Sequence, residues 1–285
     1  MFRSIAEDVK SAFDYGNMLV KLIIINIVVF VVTALLNAFL PEIYANHILP
    51  YLALPGELHV LLYRPWTLLT HMFLHQGLWH LIGNMITLYW FGNIAGDLLG
   101  DRKILPVFLL GGLMGALFYI VSYQMLPQIG IYALGASAAC LAIVFTAVAT
   151  APDYVVHLIL VGPVRIKYIG LFILFLDIIG TAGNSNTGGH LAHLGGTLFG
   201  FLFVWLLRNG TDISSWFYRS ERPKQKPVSR LKVAHKADVL TANRSKVNKT
   251  ELSTKVDQIL EKIKSKGYSS LSDEEKEVLY QASKE

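Results

Sequence analysis

The sequence predicts an all-α membrane protein: a bundle of six transmembrane helices followed by a small cytoplasmic helical hairpin at the C-terminus. Three observations lead there. Hydrophobic residues make up 53% of the 285-residue chain and charged residues only 16%, against roughly 25% charged in a soluble domain, and mean hydropathy is +0.47. Six apolar stretches approach the about 20 residues that a bilayer crossing needs. The basic residues are also asymmetric, with 17 of the 25 Lys and Arg lying from Arg208 onward. A soluble globular enzyme is thereby excluded, and the single cysteine, Cys140, excludes an internal disulfide. Within an apolar segment Cys140 reads as a small packing residue.

The apolar stretches run over about 19–40, 72–95, 104–125, 135–151, 166–180 and 189–207. The first and third are continuous. The second begins in a His-rich stretch. The fourth and fifth are short, and Pro163, Arg165 and Lys167 interrupt the start of the fifth. Short spans are tolerated where neighbouring protein covers their backbone. Residues 155–162 are apolar but too few to cross alone.

Orientation follows from the placement of Lys and Arg. With a cytoplasmic N-terminus and six crossings, 24 of the 25 fall inside and only Arg64 outside. The domain plan is a cytoplasmic segment over 1–18, a membrane domain over 19–207, a basic cytoplasmic linker over 208–249 and a helical hairpin over 250–285. In this topology the second, fourth and sixth segments run from outside to inside, so their N-terminal ends share one face.

Three polar clusters sit at those ends. Ser137 opens the fourth segment in Leu134-Gly135-Ala136-Ser137-Ala138-Ala139-Cys140. His193 opens the sixth in Gly189-His190-Leu191-Ala192-His193-Leu194-Gly195-Gly196. His80 and Asn84, four apart on one helix face, open the second. Polar groups inside membrane helices are costly and mark function. A serine and a histidine at one depth can make a nucleophile and its base. His80 and Asn84 carry donors that can stabilise an oxyanion; alone, the pair reads rather as interhelical hydrogen bonding, and the presence of Ser137 and His193 reverses that. Small residues around Ser137, the Gly196-x-x-x-Gly200 spacing and Gly111, Gly112 and Gly115 allow the close approach that a short serine side chain requires.

Histidine spacing also raises a metal reading, since His71 and His75 are four apart and His190 and His193 three apart. Such a site recruits a carboxylate or thiolate. No acid lies near the outer ends of the three segments, so no metal and no cofactor are expected. Asp177, the one acid deep in the fifth segment, is expected to face protein or the interfacial region.

At these residues the chain resembles the rhomboid intramembrane serine proteases. Gly135-Ala136-Ser137, His80-x-x-x-Asn84 with the preceding His71 and His75, and Ala192-His193-x-x-Gly196 carry the resemblance, together with Pro65-Trp66-Thr67-Leu68-Leu69-Thr70 at the end of the first outer loop. It implies a six-helix rhomboid-like bundle over about 19–207. It also implies a catalytic dyad of Ser137 and His193 with no acidic third member, and an oxyanion site from His80, Asn84 and the Ser137 backbone N–H. Three positions depart from the family pattern. Ala138 replaces the usual glycine, Thr67 follows Trp66 where arginine is usual (Arg64 stands two before it), and Leu141 stands where an aromatic residue is common.

The function so implied is an intramembrane serine endopeptidase that cleaves transmembrane segments of other membrane proteins near the outer face. The alternative is a non-catalytic rhomboid-like protein that binds such helices. Partners are transmembrane protein substrates and the lipid bilayer, with no nucleic acid. Residues 209–250, with Pro223 and Pro227, read as a linker or as an arm for anionic headgroups. Beyond them Leu252, Val256, Ile259, Leu260 and Ile263 keep helical spacing, and Gly267 stops that helix. Ser270 to Glu275 then supplies a cap and an acidic first turn to a second helix. That hairpin is too small for a large core and is expected to meet a cytoplasmic partner or another copy. The lack of a targeting signal suits a bacterial cytoplasmic (inner) membrane, with both termini cytoplasmic.

Overall fold

The computed structural model describes residues 2–126, 129–159, 161–183, 186–221, 254–265 and 268–282. The chain divides into two compact units, Met1–Arg222 and Pro223–Glu285.

The first unit is helical. Helix α1 (Phe2–Tyr15) precedes α2 (Met18–Phe39), whose start is capped twice: the Asn17 carboxamide accepts the Val20 N–H, and the Asp101 carboxylate accepts the Met18 N–H at 2.9 and 3.0 Å. Then come α3 (Leu78–Leu99), α4 (Ile104–Met125), α5 (Ser137–Thr150), α6 (Ile166–Thr181) and α7 (Thr187–Arg208). These helices fall on the six apolar stretches. By length and composition, three described helical stretches suffice to cross a membrane: Met18–Phe39, Asp101–Met125 and Thr187–Arg208.

Two expected boundaries move. Helix α3 begins at Leu78 rather than near 72, because His75-Gln76-Gly77 breaks the chain direction and Gly77 is extended. His71 therefore lies in a 3-10 turn (His71–Phe73) and His75 in the following loop, not on the helix. Residues 155–165 form an antiparallel β-hairpin, Val155–Leu158 against Gly162–Arg165, ahead of α6.

Helix α5 is the centre of the unit, packed against α3, α4 and α7 and more lightly against α6. Every residue from Ala138 to Val148 is buried. At 14 residues it spans only about 21 Å, short of a roughly 30 Å hydrocarbon core, and it is enclosed by the other helices. Backbone contact makes that possible. A Cβ at Gly196 of α7 would strike the Ala138 carbonyl, and one at Gly115 of α4 would lie 2.5 Å from the Ala138 Cβ and 3.0 Å from the Ala192 carbonyl. Helix α2 is the opposite case. Val28, Val31, Val32 and Leu35 are exposed, while Asn26 and Thr33 are buried, so its apolar side has the character of a lipid-facing surface.

Between α2 and α3 the chain runs through short helical turns, pinned by side chains to backbone. Arg64 donates to the Pro50 carbonyl at 2.8 Å and stacks 3.9 Å from the centre of the Tyr51 ring. The Trp66 indole N–H donates to the Tyr51 carbonyl at 2.7 Å, and the Thr70 hydroxyl to Leu52 at 2.6 Å. Strand β1 (Leu54–Pro55) pairs with β2 (Tyr132–Ala133) and joins this loop to the chain just ahead of Ser137.

In the second unit a helix over 254–265, a 3-10 turn Tyr268–Ser270 and a helix Asp273–Ala282 follow one another. Ser272 and Glu275 form a reciprocal capping box, the Ser272 N–H on the Glu275 carboxylate at 2.8 Å and the Glu275 N–H on the Ser272 hydroxyl at 3.3 Å. Lys262 bridges to Glu275 at 2.8 Å, and Ile259 and Leu271 are buried. The expected linker begins with a 3-10 helix, Ile213–Glu221; its remainder with Pro223 and Pro227, Leu252 and the stop at Gly267 lie outside the described residues.

Candidate active site

Helix α5 starts at Ser137 because Gly135, at φ +131°, turns the chain through a conformation that favours glycine. The Gly135 N–H donates to the His71 carbonyl at 2.9 Å, and the His71 ring N–H donates to the Thr67 carbonyl at 2.8 Å. The turn before α3 is thus tied to the serine loop. Ala136 gives no side-chain cap, and the first intrahelical bond runs from the Cys140 N–H to the Ala136 carbonyl. The N–H groups of the first turn, that of Ser137 included, therefore have no intrahelical acceptor.

The Ser137 hydroxyl lies 2.7 Å from His193 Nε2. The other ring nitrogen of His193, Nδ1, lies 2.7 Å from Oδ1 of Asp177, and His190 Nδ1 lies 2.9 Å from the same oxygen. A carboxylate only accepts, so both Nδ1 atoms carry protons and donate. In the neutral ring His193 Nε2 is then free to accept the Ser137 O–H. Asp177 is 5% exposed, on the last turns of α6.

The expectation that no acid lies near these histidines is corrected: the Asp177 carboxylate stands beside both rings. The signal was present in the sequence. In the topology expected from the basic residues the fifth segment runs from inside to outside, so its C-terminal end reaches the same face as the N-terminal ends of the second, fourth and sixth. Comparing only segments of one direction left Asp177 out. His190 was also passed over as a partner. The three side chains offer donor atoms within 4.8 Å of one another, so a carboxylate does accompany the His190–His193 spacing. His71 and His75 do not form the other pair. His71 is engaged by Thr67, while both ring nitrogens of buried His75 lack a hydrogen-bond partner among the described residues, and its ring meets His80 edge-on at 5.1 Å.

Ser137, His193, His80 and Asn84 line one cavity of about 720 Å³, together with Trp79, Tyr119, Tyr132 and Gly188. His80 closes on the serine loop: a Cβ at Gly135 would stand 3.0 Å from His80 Nε2 and 3.6 Å from the Ser137 hydroxyl. The Gln76 N–H donates to His80 Nδ1 at 3.5 Å, which leaves the proton on Nε2, the nitrogen that faces Gly135. Asn84 is less free, because its amide donates to the His80 backbone carbonyl at 3.0 Å. Leu141 and Ala138, two of the departures from the family pattern, are buried in α5. At the third, the Thr67 hydroxyl donates to the Arg64 carbonyl at 2.7 Å.

Comparison with known proteins agrees with this architecture. Residues 63–210 match the Rhomboid domain, and residues 243–285 match a family of unknown function, DUF6576. The chain is 31% identical to RHOMBOID-like protein 12, mitochondrial, of Arabidopsis thaliana, over 54% of this chain and 48% of that protein. It is 27% identical to the Presenilin-associated rhomboid-like protein, mitochondrial, of Bos taurus, over 51% and 38%. A 64-residue stretch is 34% identical to Inactive RHOMBOID-like protein 8 of Arabidopsis thaliana, over 22% and 18%. The chain thus spans less than half the length of these relatives. Two of them are mitochondrial proteins, which overturns the expectation of a bacterial cytoplasmic membrane. That expectation rested on the start of the chain, which carries no weight where so little of each relative is matched. Helices, cavity and domain match together make this chain a member of the rhomboid family.

Proposed function

We propose that this protein is an intramembrane serine endopeptidase that cleaves transmembrane segments of other membrane proteins, in a mitochondrial membrane, with Ser137 as nucleophile and His193 as base. The observation that carries the reading is the 2.7 Å contact between the Ser137 hydroxyl and His193 Nε2 inside a cavity of about 720 Å³. His193 takes the Ser137 proton as the serine oxygen bonds to the scissile carbonyl carbon, then gives it to the departing amine. Water completes the cycle by hydrolysing the acyl-enzyme. The His80 Nε2–H, the Asn84 amide and the Ser137 backbone N–H, from residues that line the same cavity, supply donors to the oxygen that acquires charge. A substrate helix hides its carbonyls in its own hydrogen bonds, so it must unwind locally before attack.

The same reading assigns six crossings to α2–α7. Both ends of the six-helix stretch then lie on one side, the side that holds seven of the eight Lys and Arg in residues 1–207. The domain plan of 1–18, 19–207, 208–249 and 250–285 goes with it, the last segment forming a helical hairpin that meets a partner or another copy.

A second reading is a non-catalytic binder of transmembrane helices, favoured by the similarity to a relative named inactive. A fluorophosphonate probe separates the two. Detergent-purified protein is expected to react at Ser137 and to cleave a transmembrane substrate, and Ser137→Ala is expected to do neither while folding normally. Folded wild-type protein that neither reacts nor cleaves would establish the binder.

A further inference from the structure

We infer that Asp177 is a positioning residue for the reacting pair: held in place by His190, its carboxylate fixes the tautomer and orientation of His193 and balances the charge that His193 acquires. This rests on the reading of Ser137 and His193 as nucleophile and base.

An ionised carboxylate within a membrane helix is costly unless it is hydrogen-bonded. Here one oxygen receives two N–H groups from the neighbouring helix, at 2.7 and 2.9 Å. A staple between α6 and α7 would need only one of them. The arrangement is more specific than a staple, because the His193 ring that donates to Asp177 through Nδ1 meets Ser137 through Nε2. The three groups form an unbroken chain, oxygen to ring to carboxylate, with both contacts at 2.7 Å. That is the order of roles in Ser-His-Asp hydrolases, where the acid orients the base without taking its proton. The packing of α6 keeps room for the arrangement. Gly180 lies one turn after Asp177, and a Cβ there would collide with the His190 ring.

The proton accounting is complete without an added reactant. As the bond from Ser137 Oγ to the carbonyl carbon forms, the hydroxyl proton passes to His193 Nε2, and the ring becomes an imidazolium still donating Nδ1–H to Asp177. When the C–N bond breaks, the Nε2 proton leaves with the amine and the ring returns to neutral. The Asp177 carboxylate keeps its charge throughout and faces the cation only while it exists. Its effect therefore falls on the transition state rather than on substrate binding.

The experiment is Asp177→Asn, which keeps shape and an acceptor oxygen while removing the charge. Turnover is expected to fall by on the order of 10²–10⁴ with KM little changed, fluorophosphonate labelling of Ser137 is expected to slow in parallel, and the thermal midpoint should stay close to wild type. His190→Ala, which leaves Asp177 on His193, is expected to lose less. Wild-type kcat and labelling rate in folded Asp177→Asn would overturn the inference while leaving Ser137 and His193 standing; failure of the wild type to label would instead overturn the protease reading. Proton NMR on histidine-labelled wild-type protein gives a readout that does not depend on the variant folding. A strongly downfield His193 Nδ1–H is expected, and its absence counts against the inference. Chelation by EDTA is expected to leave turnover unchanged, and activity lost to EDTA and restored by zinc would assign the three side chains to a metal instead.

Discussion

Helices α3 and α7 are both 22 residues long, and both open with cavity-lining polar side chains, His80 and Asn84 on α3 and His193, with His190 beside it, on α7. They use them differently. The α7 histidines reach across to other helices, His193 to Ser137 of α5 and both rings to Asp177 of α6. The polar groups of α3 are satisfied at home: the Asn84 amide donates to its own helix backbone, and His80 Nδ1 takes an N–H four residues away. A side chain committed across helices is oriented before any substrate arrives, which a base requires. A side chain satisfied locally keeps its other end available, which suits a donor to a charge that exists only briefly. Packing follows the same division, since α7 lies on α4 and α5 through Gly195, Gly196 and Gly200, where a Cβ would meet backbone.

The largest expected effect tests the committed side. His193→Ala should lose turnover on the order of 10⁶-fold, as much as Ser137→Ala, and the double variant should be no slower than either single one, because nucleophile and base act as a unit. Turnover of both single variants on a transmembrane substrate checks it. Losses that add in the double variant would break the comparison, since the two residues would then act separately.

A smaller effect tests the local side. His80→Ala should slow turnover by on the order of 10²–10³, the usual cost of one oxyanion donor, with substrate binding and thermal stability near wild type. Asn84→Ala should cost less, because one amide proton of Asn84 is already engaged on the His80 carbonyl. Turnover, KM and thermal midpoint measured on both variants sharpen the contrast. Marked destabilisation with normal turnover in the surviving folded fraction would make the pair structural and would place α3 on the same footing as α7.

The contrast also explains what could be read from the sequence. Apolar length and turn residues located the stretches that become α2 to α7, with ends within a few residues except at α3. Direction inferred from the basic residues brought Ser137, His193, His80 and Asn84 to one face, and all four line one cavity. These are one-dimensional signals: hydropathy, spacing and charge. Asp177 needed more: segment direction puts it at the same face, but its hydrogen bonds depend on how α6 is rotated against α7, which hydropathy does not encode. The same holds for Asn84, whose choice between its own backbone and the cavity is invisible in a pattern of four. His71 and His75 failed for a local reason, because Gly77 ends the loop that carries them before the helix begins. Residues 155–162 are apolar but too few to cross, and pairing of Val155–Leu158 with Gly162–Arg165 satisfies their backbone locally where a crossing could not.

The smallest effect carries the comparison away from the cavity. Lys103, in the turn before α4, bridges to Asp212, beyond α7, at 2.6 Å, a contact across elements. Asp153 takes Arg165 and Lys167 from its own hairpin region at 3.2 and 2.6 Å, a local contact at the surface. Burial alone would raise the Asp212 carboxyl, but hydrogen bonds from Lys103 and Ser214 outweigh it and hold the group below the usual carboxylate range. A depressed carboxyl contributes stability above its unfolded value, about 3.9 for Asp, and that contribution is lost as pH falls through the folded value. With Asp212 about a third exposed (37%), Asp212→Asn should cost no more than about 1 kcal/mol near neutral pH. The gap in thermal midpoint between wild type and variant should close as pH is lowered below the carboxylate range. The matching Asp153→Asn change should leave the midpoint unmoved, because its partners are local and solvated. A gap that persists in acid would mean that Asp212 acts through its shape and its Ser214 contacts rather than its charge, and a clear loss in Asp153→Asn would show that local ion pairs hold this fold as firmly as those that join separate elements.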